Sequence, residues 1–428
     1  MTLSKSGAFS LSILVAVGVS AAASCLDARA ASAQGFTLWA DADASGGPGL
    51  SGNDHAIVFG AGALFLAEDG VIYSSTGPAG GAPGTFSVLL TLPPVDSSTP
   101  DRNEGLVYFS NPVPMLVVGE ERTDSIHTVA ISGAGAGVTT GAVVEYDGES
   151  NPEQGDTGEF AEFDTVEGLA TFVGTPIFDD ANATPLFSAV AVAPGVTVNG
   201  NGFPIVNPNW SGRTLLAANE DDDNVIAFMI LDDGTISPVP GVALAQPNDP
   251  PFDDVSNVDG LAVTPDGRFA YAHDESDPDF YRFDLRAIDS TGGSSHIREF
   301  NNPSFDWVED GLLAPGDGFL YAVADGPDGG SNAGLMRIPI DSATGDLGAP
   351  ETVGIIKDGQ GTAATGDDGA RLSTHPDGIL ISDGATNLVF LFSVPTSGAP
   401  ALGPLGIVFA LIVLLALGYL TLPRRAKP

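Results

Sequence analysis

Six acids stand where they could hold a hard cation. Glu104 precedes Gly-Leu-Val-Tyr-Phe, Glu167 precedes Gly-Leu-Ala-Thr-Phe, and Asp259 precedes Gly-Leu-Ala-Val. Asp310 precedes Gly-Leu-Leu-Ala and Asp368 precedes Gly-Ala-Arg-Leu, while Asp54 is a looser copy with His55 in place of the glycine. A second set, Glu68, Glu120, Asn219, Asp274, Asp325 and Asp383, closes the next apolar run of the repeat. Carboxylate oxygens with no cysteine and few histidines beside them suit Ca2+ or Mg2+ better than zinc. Like charges gathered at one opening repel, and burial adds to the cost, so water, backbone N–H groups, protons or a bound cation must offset it. The other role open to these acids is structural: each accepts hydrogen bonds from the neighbouring unit's backbone and tethers the array. His55 and His375 read as lying near the openings, with His55 the candidate for a catalytic base; His127, His273 and His296 fall in or at the end of strands. No His-Glu-x-x-His, Gly-x-Ser-x-Gly, Walker or dinucleotide motif occurs.

Positioning falls to short strands. Val258 to Asp274 reads as a strand, a tight turn at Pro265-Asp266-Gly267 and a second strand. The spacing is 50 residues from Asp54 to Glu104, 51 from Asp259 to Asp310 and 58 from Asp310 to Asp368. Four-stranded antiparallel units at that period predict an all-β chain folded as a single β-propeller. In antiparallel order, the first strand starts at the face where the second ends. Both sets of acids therefore converge on one face, and the first set rings the mouth of a central channel. From Glu167 to Asp259 the gap is 92 residues, and Gly202–Asn219 reads as an inner strand, a turn and a second strand of its own. That predicts two blades in the gap, and seven in all rather than six. The last unit is one strand short. The strand at 35–41 supplies it and closes the ring, leaving no sheet edge to aggregate. A hydrophobic content of 43% argues against disorder, and 55 glycines and 32 prolines supply the turns.

Both ends read as addresses. Residues 1–33 carry Lys5, an apolar run from Ala8 to Ala23 and small-residue sites at Ala28-Arg-Ala30 and Ala31-Ser-Ala33, the pattern of a secretory signal peptide. Cys25, the only cysteine, lies inside it and lacks the leucine three positions earlier that a lipoprotein anchor uses. Residues 34–395 form the propeller, and 396–428 form a C-terminal sorting and transmembrane segment with a basic tail. Leu402–Leu422 is uncharged and long enough to span a bilayer. Arg424, Arg425 and Lys427 follow, which puts the C-terminus in the cytoplasm and the body outside. The body holds 54 acids against 10 bases, about −44. Such a field repels phosphate backbones, which excludes nucleic acid, and it attracts cations. A saline habitat would select the same composition with no specific ligand.

Ala399-Pro-Ala-Leu-Gly-Pro-Leu-Gly406 resembles the Ile-Pro-Thr-Leu-x-x-Trp-Gly signal of bacterial proteins sorted by exosortases, with Leu405 in place of the Trp. That resemblance implies a sorting protease as partner and delivery to the cell surface or outer envelope of a Gram-negative bacterium. The protein would be anchored in the inner membrane, transiently or permanently. Asn257-Val-Asp-Gly-Leu-Ala-Val-Thr-Pro-Asp-Gly-Arg268 and Trp210-Ser-Gly-Arg-Thr-Leu-Leu-Ala-Ala-Asn219 resemble repeats of lactonase-like propellers, of the gluconolactonase/senescence-marker type or the seven-bladed type. In the former a Glu, an Asn and an Asp at inner-strand starts hold a divalent metal. Glu104 and Asp368 match two of these, and Asp259 stands at the Asn position. The resulting expectation is an exported surface propeller that binds a divalent cation, and a surface partner, on its acidic face without catalysis. The alternatives are a metal-dependent lactone or ester hydrolase with Glu104, Asp259 and Asp368 as ligands, and a structural matrix protein with no defined site.

Overall fold

The computed structural model describes residues 35–393 except 43–55, 94–102, 104, 121–124, 148–165, 174–208, 220–223, 238–241, 246–257, 275–278, 287–295, 302–307, 325–331, 358–362, 365–369 and 385. The predicted signal peptide, span and sorting tail lie outside the described residues, among which no helix is long and apolar enough to cross a membrane.

Short apolar runs between Gly, Pro and Asp turns form strands. After β1 (Phe36–Asp41) come β2 (Ala56–Gly60), β3 (Ala63–Glu68), β4 (Val71–Ser75) and β5 (Ser87–Thr91), which make one sheet. A second holds β6 (Leu106–Phe109), β7 (Met115–Glu120), β8 (Ser125–Ser132) and β9 (Thr139–Asp147). The third holds β10 (Val166–Val173), β11 (Trp210–Asn219), β12 (Asn224–Leu231) and β13 (Val242–Ala245). The fourth holds β14 (Val258–Val263), β15 (Phe269–Asp274), β16 (Asp279–Asp284) and β17 (Ile297–Asn301). The fifth holds β18 (Val308–Leu313), β19 (Phe319–Ala324), β20 (Gly334–Pro339) and β21 (Glu351–Ile355). The last holds β22 (Leu372–His375), β23 (Gly378–Asp383) and β24 (Leu388–Phe392), completed by β1, which runs antiparallel to β24 from Phe36↔Phe392 to Asp41↔Leu388. The first strands neighbour one another in a closed ring, β2, β6, β10, β14, β18, β22 and back to β2. The fold is a six-bladed β-propeller closed by its N-terminal strand.

Seven blades, the expected number, is one too many. Trp210–Asn219 is a single strand of 10 residues, the second of its blade, paired with β10 from Val166↔Asn219 to Val173↔Arg213. The long gap therefore holds one blade with an extended connection between its first two strands. Residues 174–208 of that connection, including the Phe203-Pro-Ile-Val206 read as an inner strand, lie outside the described residues.

The core sits in the seams between blades. Phe65, Ile72, Leu116 and Val129 fill the first, and Leu215, Ile226 and Phe228 meet Val117 and Ile126 in the next. Tyr281 and Phe283 meet Leu216 in the third. Second strands are packed on both faces, so β3, β7 and β15 are buried throughout and read as continuous apolar runs. Between inner strands the gap is too narrow for a side chain. A Cβ on Gly311 would lie 2.5 Å from the Ala370 carbonyl oxygen and 3.2 Å from the Arg371 Cα. Gly311→Ala must therefore push β18 and β22 apart, at a cost of about 1–3 kcal/mol. The urea midpoint should fall at constant m-value; an unchanged midpoint would contradict this close approach.

The seam that β1 closes carries a pH-sensitive group. His375 packs edge-on against Phe59 at 4.5 Å and Trp39 at 5.9 Å between ring centroids. Its Nδ1 accepts the Asp377 N–H at 3.1 Å and so is unprotonated. Burial holds its pKa below 6.5, opposed by the Asp377 charge. The unfolded chain thus takes up this proton at a higher pH than the folded one. The corresponding stability is fully present above pH 6.5 and is lost as pH falls below it. His375→Gln should flatten that part of the melting temperature's pH dependence. An equal slope in both proteins would refute the assignment.

Candidate functional site

Register sets the geometry. Val166 pairs with Asn219 and Val258 with Asp274, so inner-strand starts and second-strand ends share one end of the wheel, as the spacing predicts. In three blades the ladder slips at the acid–glycine step: between Val166 and Gly168, Asp259 and Leu261, and Glu309 and Leu312. Such a bulge bends the strand and re-aims its side chains. Glycine accommodates it at Gly260, whose φ is +40°. The recurring acid–glycine pair thus marks a local backbone irregularity as well as a charge.

Inside the ring runs a narrow channel with a cavity volume of about 50 Å³, partly open to solvent. Each blade contributes one aliphatic side chain to its wall, Ile57, Leu106, Leu169, Leu261, Leu312 and Leu372, and Gly168, Gly260 and Gly311 leave backbone exposed between them. Among the described residues, Arg371 is the only charged one in the lining. Of the six predicted acids, Asp259 alone has a described side chain. Glu167 and Asp310 lie in β10 and β18 with only their backbone described; Asp54, Glu104 and Asp368 lie outside the described residues.

Asp259 is buried, with 3% of its surface exposed. Its Oδ1 accepts the N–H of Gly260 and lies 3.9 Å from Arg371 Nη1, while its Oδ2 lies 3.9 Å from His273 Nε2. Arg371 belongs to the sixth blade and Asp259 to the fourth. The guanidinium therefore reaches past the inner strand of the fifth, where Gly311 lies against the Arg371 Cα. Ser382 fixes the Arg371 backbone from β23: its Oγ accepts the Arg371 N–H at 3.1 Å, and its own N–H donates to the Arg371 carbonyl at 2.9 Å. His273 is buried, and neither ring nitrogen has a hydrogen-bond partner among the described residues. The described second-strand ends are buried too: Glu68, Glu120, Asn219, Asp274 and Asp383. In the second blade Glu120 Oε1 stands 3.3 Å from His127 Nε2, and in the last the Thr386 hydroxyl donates to Asp383 Oδ2. Among the described residues no three His, Cys, Asp or Glu side chains converge as a metal site.

Arg371 was not singled out from the sequence. It carried one signal: it is one of ten bases in the body, and it sits in a repeat start where the other copies have Gly-Leu. His273 was read as part of a strand, and its nearness to Asp259 follows from their direct cross-strand pairing. His375, expected near an opening, lies instead at the far end of β22.

Fold and site together define a six-bladed β-propeller with a buried ionic cluster at one end of its channel. No protein-family model matches the chain, and neither does any curated protein. Among solved structures it is similar to a gluconolactonase from Xanthomonas campestris, at 13% identity and a TM-score of 0.40, over 85% of this chain and 87% of that one. A periplasmic gluconolactonase from Pseudomonas aeruginosa matches at 15% identity and 0.40, over 80% and 82%. A calcium-binding protein, regucalcin, from Agrobacterium tumefaciens matches at 12% and 0.38, over 80% and 90%. A likeness of that order carries no argument about what this chain does.

Proposed function

We propose that the chain is an exported cell-surface propeller that binds a divalent cation, Ca2+ or Mg2+, at the acidic end of its channel and catalyses no reaction. What supports this is that one channel is lined by the residues that follow the six acids in sequence, each within four positions. The one acid with a described side chain, Asp259, is buried beside that channel. Carboxylate oxygens are the donors that hard cations take. Arg371 offsets one negative charge of the set, and a bound cation would offset more. Glu104, Glu167, Asp310, Asp368 and Asp54 are the further candidate ligands. Elemental analysis of protein purified without chelator is the direct test. About one calcium or magnesium per chain supports the reading; a metal-free protein that does not respond to added cation removes it.

A second reading, a metal-dependent lactone or ester hydrolase, is favoured by the channel itself: a concave opening beside which Arg371 and Asp259 converge is where a small molecule and its orienting polar groups would meet. The cation would then serve as Lewis acid, with Glu104, Asp259 and Asp368 as ligands. Metal-dependent turnover in a lactone panel, lost in Glu104→Gln, would replace the non-catalytic reading. Export rests on residues 1–33 and 396–428. Intact-mass measurement of the surface form should find residues 1–33 gone and the tail cut by an exosortase-type protease; retention of both segments would count against that route.

A further inference from the structure

We infer that β5, the outer strand of the first blade, is a contact between copies of this chain, two copies pairing their β5 strands antiparallel about a two-fold axis at Leu89. The contact lies on the rim of the wheel and does not depend on the cation reading. β4 covers one side of β5, and its other side pairs with nothing among the described residues. Such an edge offers its backbone N–H and C=O groups to a further strand unless charge, proline or a covering segment blocks it. Other outer strands show these blocks: β9 carries Glu145, β17 carries Arg298 and Glu299, and β21 carries Glu351. β1 is bonded on its outer side to Gly84. Ser87-Val-Leu-Leu-Thr91 has neither charge nor proline. The one slip in its register against β4 leaves Leu89 as the extra residue, with Val88 and Leu90 paired on either side.

The strand's own pattern and the body's charge select a second copy as its occupant. Read in either direction, β5 is hydroxyl, aliphatic, aliphatic, aliphatic, hydroxyl. Turned about Leu89, it sets Ser87 opposite Thr91 and Val88 opposite Leu90, both favourable cross-strand pairs. The same patch then meets itself, as a two-fold interface requires. The body carries about −44, so copies repel one another wherever their acids face. Residues 70–95 contain no Asp, Glu, Lys or Arg, and neither do residues 125–144, which hold β8 and most of β9 across the seam. Val88 and Val144 stand exposed on these two runs, at 61% and 44%, while Leu89, Leu90 and Val143 pack on one shared core cluster. A ladder of 5 residues is small against the roughly 1,000 Å² of a stable interface, so the Val144 flank belongs to the contact and the association is weak at low salt. Salt screens the long-range repulsion and leaves the uncharged contact in place, so pairing should strengthen as salt is added.

The test is sedimentation equilibrium of the full chain in density-matched detergent micelles with chelator present. Wild type should form a dimer whose dissociation constant is at least about tenfold lower in about 1 M NaCl than in about 0.1 M. Val88→Lys should weaken that dimer by about ten- to a hundredfold, because the substitution enters the contact once from each copy. Val173→Lys makes the same charge change at an exposed valine of the third blade and should leave the dimer unchanged. Both valines are exposed, so both variants should melt with wild type. In a Cys25→Ser background, Leu89→Cys should cross-link to its counterpart under copper–phenanthroline oxidation, since residues facing each other across an antiparallel pair lie about 4.5–5.5 Å apart between Cα atoms. Thr91→Cys, roughly 13 Å from its counterpart in that register, should not. A monomer at every salt concentration overturns the inference. So does a dimer that Val88→Lys leaves intact, that both lysine variants weaken equally, or that cross-links through Thr91→Cys and not through Leu89→Cys. With chelator present throughout, none of these results bears on the cation reading.

Discussion

A chain lacking residues 35–42 is expected to lose its cooperative unfolding transition. The reason lies in what β1 joins. It gives the sixth sheet its fourth strand, along β24, and without it β24 would present a row of unpaired backbone groups to solvent. It also reaches the first blade: the Gly84 N–H donates to the Trp39 carbonyl at 2.8 Å, and the Asp41 N–H donates to the Gly84 carbonyl at 3.0 Å. Trp39 is buried and lies so close over Gly77 that a Cβ there would come within 2.5 Å of its ring. Trp39→Ala alone should cost about 3–5 kcal/mol, a large part of the 5–15 kcal/mol that holds a domain together. Guanidinium denaturation measures it. A peptide of residues 35–42 added to the truncated chain should restore part of the transition by strand addition. A Trp39→Ala protein within about 1 kcal/mol of wild type would mean that the ring does not depend on this closure.

The repeat was legible because packing imposed it. Second strands lie between two blades, so Ala63–Glu68 and Met115–Glu120 carry apolar residues at nearly every position and end on a buried acid. The missing strand of the last unit and the orphan at 35–41 could be matched from sequence for the same reason: closure admits few solutions. Blade number was harder. Loop-closure entropy grows only slowly with length, so a propeller tolerates an extended connection between β10 and β11, and periodicity cannot tell an insertion from another blade. The site was half legible. Acids at strand starts follow from local pattern, whereas Arg371 meets Asp259 only because the ring brings the sixth blade to the fourth. No spacing rule covers a contact over more than a hundred residues. The glycines were read as part of a motif, and the structure gives them a second cause, the narrow gap between inner strands at Gly168 and Gly311.

Calcium should raise the melting temperature of the chelator-treated protein, and Glu104→Gln should remove most of the rise. A ligand that binds only the folded state stabilises it by RT ln(1 + [L]/Kd), about 2.7 kcal/mol at a hundredfold excess, worth several degrees in a chain of this size. The composition demands a control, because 54 acids against 10 bases will respond to any salt. Diffuse screening follows ionic strength and is met equally by NaCl; a coordinated cation survives excess NaCl and saturates. Asp259→Asn must be read differently from Glu104→Gln. It removes a candidate ligand, but it also leaves Arg371 and His273 beside a neutral amide. Breaking a buried pair from one side costs about 3–5 kcal/mol, so its metal-free melting temperature should already be low. The informative quantity is the calcium-dependent increment, which should shrink in both variants whatever their starting stability. An increment that NaCl reproduces, or that both variants keep in full, would put the cation elsewhere and reduce the acid–glycine repeat to its backbone role.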